Sequence, residues 1–267
     1  MANDFYGKRR ERFLNEEPAL QYRNDLIFLI NSSLDFIDNG RYNKEEHRED
    51  AWALSNWEIG NDKFDLLVLD YSEGRPIAEI AKDFPELLNW NERCSLPHPQ
   101  YKTIPFYLAE TDSYDYFLSL LSLAKLLRND KQIARYVALL DVKREGNRGR
   151  DELFEILLQR LGVPSVPTRK RLEHKAHWIL LEAIQSAPEN RPKLMQEFLK
   201  KWYACMRGCA WYGLHTKRPD RFRGYWCFEA GLVTCLWQID DSSYRDLPFY
   251  PKDLVDWARG NGVAGCD

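Results

Sequence analysis

What most constrains this chain is the way its apolar residues recur. Leu26, Leu29, Ile30, Leu34 and Ile37 fall on one side of a 3.6-residue repeat, and so do Phe64, Leu67, Val68 and Tyr71. Phe117, Leu120, Leu121, Ala124 and Leu127 repeat the pattern, followed by Leu153, Ile156, Leu157 and Leu161, then by Met195, Phe198, Leu199 and Trp202. No strong stretch alternates with period two. Leucine outnumbers valine 35 to 8 and threonine occurs five times, so the side chains that favour a pleated strand are scarce. The expected fold is all-α: a multi-helix bundle of antiparallel helical hairpins joined by short loops.

Punctuation separates the stripes. Breaks are expected at Asn39-Gly40, through the proline-bearing stretch Cys94 to Pro105, at Gly146 to Gly149, at Gly162 to Pro167, before the helix flanked by Pro188 and Pro192, and through the polar stretch His215 to Gly224. Phe117–Asp130 and Phe228–Asp241 echo one another, each an apolar run that opens on an aromatic and closes on an aspartate. They read either as a weak internal repeat or, more simply, as two ordinary buried helices.

A chain of 267 residues with 44% hydrophobic and 30% charged residues is globular in composition, long enough for one large domain or two modest ones. The net charge of −3 gives no overall attraction to nucleic acid. The charge is uneven, however. Asp35 to Glu73 holds eleven acidic and four basic residues, whereas Leu121 to Lys175 holds thirteen basic and seven acidic. Solvated helix faces are the plain reading, and surfaces for oppositely charged partners the functional one. No apolar run is long enough to span a bilayer, and Met1 to Arg12 is too polar for a secretory signal. Six cysteines without framework spacing fit reduced thiols in a cytoplasmic protein.

Catalytic and metal motifs are absent or incomplete, and no cofactor is expected. His174 and His177, with Cys205 and Cys209, supply zinc-type ligands at spacings that match no usual zinc site; small buried cysteines are the simpler reading. Pro219-Asp220 begins the metal-binding pattern of a restriction-like nuclease, but no acidic-x-Lys follows it. No phosphate-binding glycine loop, nucleophile elbow or H-E-x-x-H helix occurs.

The densest signal lies in the last fifty residues. Glu229 sits among Trp226, Phe228 and Leu232, where a carboxylate requires a partner: an arginine, tyrosine or backbone donor inside the fold, or a contact outside it. Asp240, Asp241, Ser242 and Ser243 suit a helix end and the following turn. Asp246, Phe249, Tyr250, Pro251 and Asp253 mix carboxylates with exposed-looking aromatics, which suits either a capped turn or a surface that docks a basic partner.

The string Gly224 to Gly231 (Gly-Tyr-Trp-Cys-Phe-Glu-Ala-Gly), then Ile239 to Ser243, Asp246 and Pro248 to Val255, closely resembles the C-terminal signature of the PoNi family. Those are bacterial immunity proteins paired with PoNe DNase toxins, often delivered by type VI secretion. Phe198 to Tyr203, Trp211-Tyr212 and Tyr114 to Leu127 are similar to that family too, so the likeness spans roughly Tyr101 to Ala258. Cys227 stands where serine is common, and Trp237-Gln238 where Leu-Gly is common. The resemblance implies an α-helical fold, no catalysis and a cognate nuclease toxin as protein partner, with an N-terminal helical domain over residues 1–98 and a C-terminal one over 99–267.

On this reading Trp226, Phe228, Glu229, Tyr250 and Pro251 are a structural signature. The candidates for toxin contact are two acidic tracts, Glu45, Glu46, Glu49 and Asp50, and Asp240, Asp241, Asp246 and Asp253. The first is denser and lies where the likeness is weakest, as a specificity surface would. The alternative is a helical DNA-binding regulator or a helical enzyme, supported by Arg169-Lys170-Arg171 and its neighbours.

Overall fold

The computed structural model describes residues 4–46, 48–94, 107–141, 147–169 and 171–260, with the side chains of 48–50, 94 and 141 left outside that set. The described residues form helices and turns without a strand, as the periodicity predicts. They divide into two compact units, the first comprising Met1–Pro105 with Gly213–Tyr225, the second Phe106–Tyr212 with Trp226–Asp267. The boundary expected near residue 98 lies outside the described residues.

The first unit is built on α1 (Phe5–Lys8), α2 (Glu16–Asp38), α3 (Arg48–Glu73) and α4 (Ile77–Cys94). Helix α2 packs on α3, and α3 on α4. The buried positions of α2 are Ala19, Tyr22, Leu26, Ile30 and Ile37, a single narrow stripe. Ile30 and Ile37 meet Ile59 and Trp90 in one apolar cluster. Leu29, expected on that stripe, lies at its edge and is 43% exposed. Between α3 and α4 the chain turns at Gly74, whose φ is +95° and whose Cβ, if present, would meet the Lys8 carbonyl. Only glycine fits there.

The second unit holds α5 (Thr111–Leu126), α6 (Ile133–Asp141), α7 (Glu152–Arg160), α8 (Trp178–Gln185) and α9 (Arg191–Cys205). The chain then enters the first unit through α10 (Leu214–Lys217) and a 3-10 turn at Pro219–Arg221, where a polar loop was expected. It returns to the second unit for α11 (Phe228–Leu236) and α12 (Lys252–Arg259).

The echoing segments Phe117–Asp130 and Phe228–Asp241 contribute the two central helices, and α5 packs directly on α11. Ten residues of α5 and seven of the nine in α11 are buried, which is why both sequences are apolar on every side. Both helices also end alike. Arg128 and Gln238 adopt left-handed φ values of 59° and 51°. The next amide in each case reaches back five residues, Asn129 to the Ala124 carbonyl and Ile239 to the Thr234 carbonyl. That closes otherwise unpaired helix-end carbonyls at the cost of a strained non-glycine residue. Gly231 lets α11 approach its neighbours closely: a Cβ there would lie 3.0 Å from Pro251 and 3.2 Å from both Leu126 and Val255.

Candidate protein-binding surface

The first acidic tract follows a one-turn 3-10 helix at Arg41–Lys44, which Gly40 opens with φ +60°. Glu45 and Glu46 are exposed just beyond it, and neither side chain is engaged among the described residues. Glu49 and Asp50 stand in the opening turn of α3, and their side chains lie outside the described residues.

Further along α3 stand two carboxylates that the sequence reading did not single out. Glu58 and Asp62 are one turn apart, both half-buried, and neither takes a hydrogen bond or an ion pair among the described residues. Burial, and then the Glu58 charge, push Asp62 up to about 6. Leu54 and Trp57, on the same helix, are 55% and 40% exposed. The legible signal was a like-charge pair four residues apart inside the acidic tract Asp35–Glu73.

By contrast, α3's other carboxylates are committed to the fold. Asp65 accepts the Tyr22 hydroxyl at 2.5 Å and pairs with Arg223. Asp70 pairs with Arg23 at 2.5 Å and Arg75 at 2.8 Å. A pocket of about 560 Å³ opens beside them; of the four cations that line it, Arg23, Lys63 and Arg75 are paired with carboxylates of α3 or α4, and Lys8 is the fourth.

The second acidic tract does not form one surface. Asp240 is exposed and accepts both the amide and the hydroxyl of Ser242 at 3.0 Å, which lowers its pKa. Asp241, its neighbour, is only 6% exposed. It accepts Arg259 at 2.9 Å, the Tyr250 hydroxyl at 2.9 Å and Arg245 at 3.3 Å. Asp246 is exposed and pairs with Lys252 at 2.8 Å, while Asp253 is half-buried in the first turn of α12. Tyr250 and Pro251, read as part of a structural signature, are buried: the tyrosine ring packs edge-on against Tyr244 and its hydroxyl is held by Asp241.

Glu229 is buried at 2% exposure in the first turn of α11 and accepts the Trp202 indole N–H at 2.6 Å. His177, equally buried, places Nε2 3.5 Å from the same oxygen. Trp202 stacks on Trp211, whose indole donates to Asp115 at 2.9 Å. Burial, and then the charge of Glu229, raise Asp115 to about 7. In place of the expected arginine, tyrosine or backbone partner, Glu229 thus has an indole donor, with the His177 ring alongside. Phe228 is core, whereas Trp226 precedes α11 and is half-buried.

Part of the basic stretch is engaged within the fold. Arg148 makes a two-pronged pair with Glu155 at 2.9 Å, Lys125 pairs with Asp130 at 2.5 Å, and Arg171 donates to Gln185 at 3.2 Å. Lys170 lies outside the described residues. Pro219-Asp220 forms a surface turn with Asp220 held by Arg218 at 2.9 Å. His174 contacts the Leu108 carbonyl at 2.9 Å, Cys209 is buried and Cys205 exposed. No three metal-ligating side chains converge among the described residues. No helix there is long and apolar enough to cross a membrane.

Comparison with known proteins gives two family matches. Residues 30–138 match the model for the N-terminal part of PoNe immunity proteins (PoNi), and residues 149–254 match the model for the C-terminal part. Among solved structures, protein PA2201 from Pseudomonas aeruginosa is similar, with a TM-score of 0.67 at 18% identity over 95% of this chain and 92% of that one. At that identity the likeness concerns the fold. No curated protein matches.

Proposed function

Because the chain belongs to the PoNe immunity protein (PoNi) family, we propose that it binds a cognate PoNe-type nuclease toxin and neutralises it by protein contact, without chemistry of its own. The observation that carries this beyond the family is the exposed, unengaged pair Glu45 and Glu46 at the head of the acidic tract. A DNase must attract phosphates, so the surface around its cleft is cationic. Carboxylates that already lack an internal partner speed encounter with such a surface and orient it. Glu49 and Asp50 continue the same tract, so it is the favoured determinant of partner choice. Asp240, Asp246 and Asp253 are secondary contacts; Asp241, enclosed by its own three donors, holds the fold instead. Protection of DNA places the protein in the cytoplasm, where toxin delivered by type VI secretion would meet it.

The alternative, a DNA-binding regulator, needs a free basic face; Arg148, Lys125 and Arg171 are engaged within the fold, whereas Arg169 is exposed, so DNA binding by the chain alone would favour it.

The test is co-expression of this chain with a PoNe-type nuclease, followed by affinity capture. Protection and a stoichiometric complex are expected. Glu45→Lys with Glu46→Lys should leave the chain folded and weaken capture, most at low salt. A wild-type chain that neither protects nor is captured overturns the reading. Folded charge-reversal variants that bind as wild type at low and high salt remove this tract from it.

A further inference from the structure

We propose that the α3 face carrying Leu54, Trp57, Glu58 and Asp62 is a docking site for the arginine- and lysine-bearing surface with which a nuclease holds DNA phosphates, with Trp57 as its anchor. This rests on the toxin-binding reading above and names a specific surface for it.

Four observations in the first unit support the assignment. Leu54 is three and four residues from Trp57 and Glu58, and Glu58 four from Asp62, so the four residues share one broad side of the helix. Leu54 and Trp57 keep 55% and 40% of their surface in solvent, so the stripe is uncovered. Glu58 and Asp62 have no hydrogen-bond or ion-pair partner among the described residues, although every other described acidic residue of α3 has one. Their environment is unfavourable to charge: burial and mutual repulsion both act against ionised Asp62, and Arg221 is the single cation felt there.

A helix that served only the fold would place a lysine or arginine four residues from such a pair, as α9 does where Glu197 meets Lys201. Here Arg221 acts on Asp62 only at a distance, without an ion pair among the described residues, which leaves the pair open to a counter-charge from a partner. A tryptophan beside unpaired carboxylates fits a guanidinium well: the ring face accepts the cation while a carboxylate takes its N–H groups. A half-exposed tryptophan within a charged rim is also the usual make-up of an interface anchor. The charge excludes a nucleic acid as occupant and is poorly suited to a second copy of the same acidic face.

The experiment uses the full chain and the catalytically inactivated PoNe-type nuclease that the full chain is found to bind. Three variants are compared with wild type: Trp57→Ala, Trp57→Phe, and Glu58→Gln with Asp62→Asn. Affinity is measured by calorimetry and Tm by thermal denaturation. Trp57→Ala and the double amide variant should each weaken Kd by about tenfold or more, with Trp57→Phe intermediate. The double amide variant should at the same time keep or raise Tm, because it removes an internal repulsion. Opposite signs on affinity and stability identify carboxylates kept for a partner.

Wild-type binding that all three variants retain overturns this surface and leaves the toxin reading standing. A double amide variant with a lowered Tm shows that the carboxylates serve the fold and also overturns it. Concentration-dependent dimerisation of wild type that Trp57→Ala abolishes overturns it in favour of a second copy. A wild-type chain that binds no PoNe-type nuclease overturns both readings together.

Discussion

Asp240 and Asp241 are adjacent and chemically identical, yet substitution should separate them sharply. Asp241→Ala removes the acceptor of the buried Tyr250 hydroxyl, and an abandoned buried donor costs about 1–3 kcal/mol. It also removes one contact each from Arg259 and Arg245, whose side chains are 27% and 32% exposed. Water reaches both, Arg259 keeps the Ile239 carbonyl and Arg245 keeps Asp256, so each loss is worth only about 0.5–1 kcal/mol. Together these give roughly 3 kcal/mol, or about 6–12 °C in Tm for a chain of this size. Asp241→Asn still accepts from Tyr250 and should lose roughly half as much. Asp240→Ala disrupts only an exposed turn with Ser242 and should cost about 0.5–1 kcal/mol. Urea denaturation of the three variants measures the differences, and combining Asp241→Ala with Tyr250→Phe should give a coupling energy of about 1 kcal/mol or more. If Asp241→Ala and Asp240→Ala differ by less than about 0.5 kcal/mol, the network around Asp241 does not hold α12 in place as argued.

Gln238→Gly should stabilise the protein by about 1 kcal/mol, because φ there is 51° and the residue is exposed; thermal denaturation checks the sign. Gly231→Ala should destabilise by about 1–2 kcal/mol, since a methyl group 3.0 Å from Pro251 outweighs the better helix propensity of alanine, and urea midpoints would reveal a net gain if Pro251 simply shifts. Asp115 titrates near 7 in the folded chain and at its ordinary acidic value when unfolded, so between those values the folded state holds the extra proton. Its contribution to stability therefore falls as pH rises from about 4 to 7, and Asp115→Asn should flatten that decline in a series of denaturation curves across this range. A variant with an unchanged pH slope would show that another group carries the decline.

The candidate surface was only partly legible in the sequence. Glu45 and Glu46 stood out by density, and they are exposed. Glu58 and Asp62 were hidden among eleven acidic residues, because sequence shows where carboxylates are and not which of them lack a cation. Asp65 and Asp70 belong to the same run and are fully engaged, by Tyr22 and Arg223 and by Arg23 and Arg75. The aromatic tract at Phe249 to Pro251 left a capped turn and a docking surface equally open in the sequence, and the structure favours the turn: Pro251 packs on Gly231 and Tyr250 bonds Asp241.

The sequence by itself determined the helical class, the main helices and the burial of α5 and α11, because these depend on periodicity and on how many sides of a helix are apolar. Such signals are local and survive without knowledge of neighbours. Only the tertiary structure decided that Gly213–Tyr225 belongs with the N-terminal helices. Three bonds tie it there: the Tyr225 amide to Glu11 at 2.9 Å, the Ser72 hydroxyl to the Arg223 carbonyl at 2.6 Å, and Arg223 to Asp65. Glu11 is an ordinary-looking carboxylate near the start of the chain, and burial raises its pKa even as two backbone amides hold it. Its partner lies 214 residues away. A hydrogen bond across that separation leaves no periodic trace, since its energy depends on two groups that only the folded backbone brings within reach.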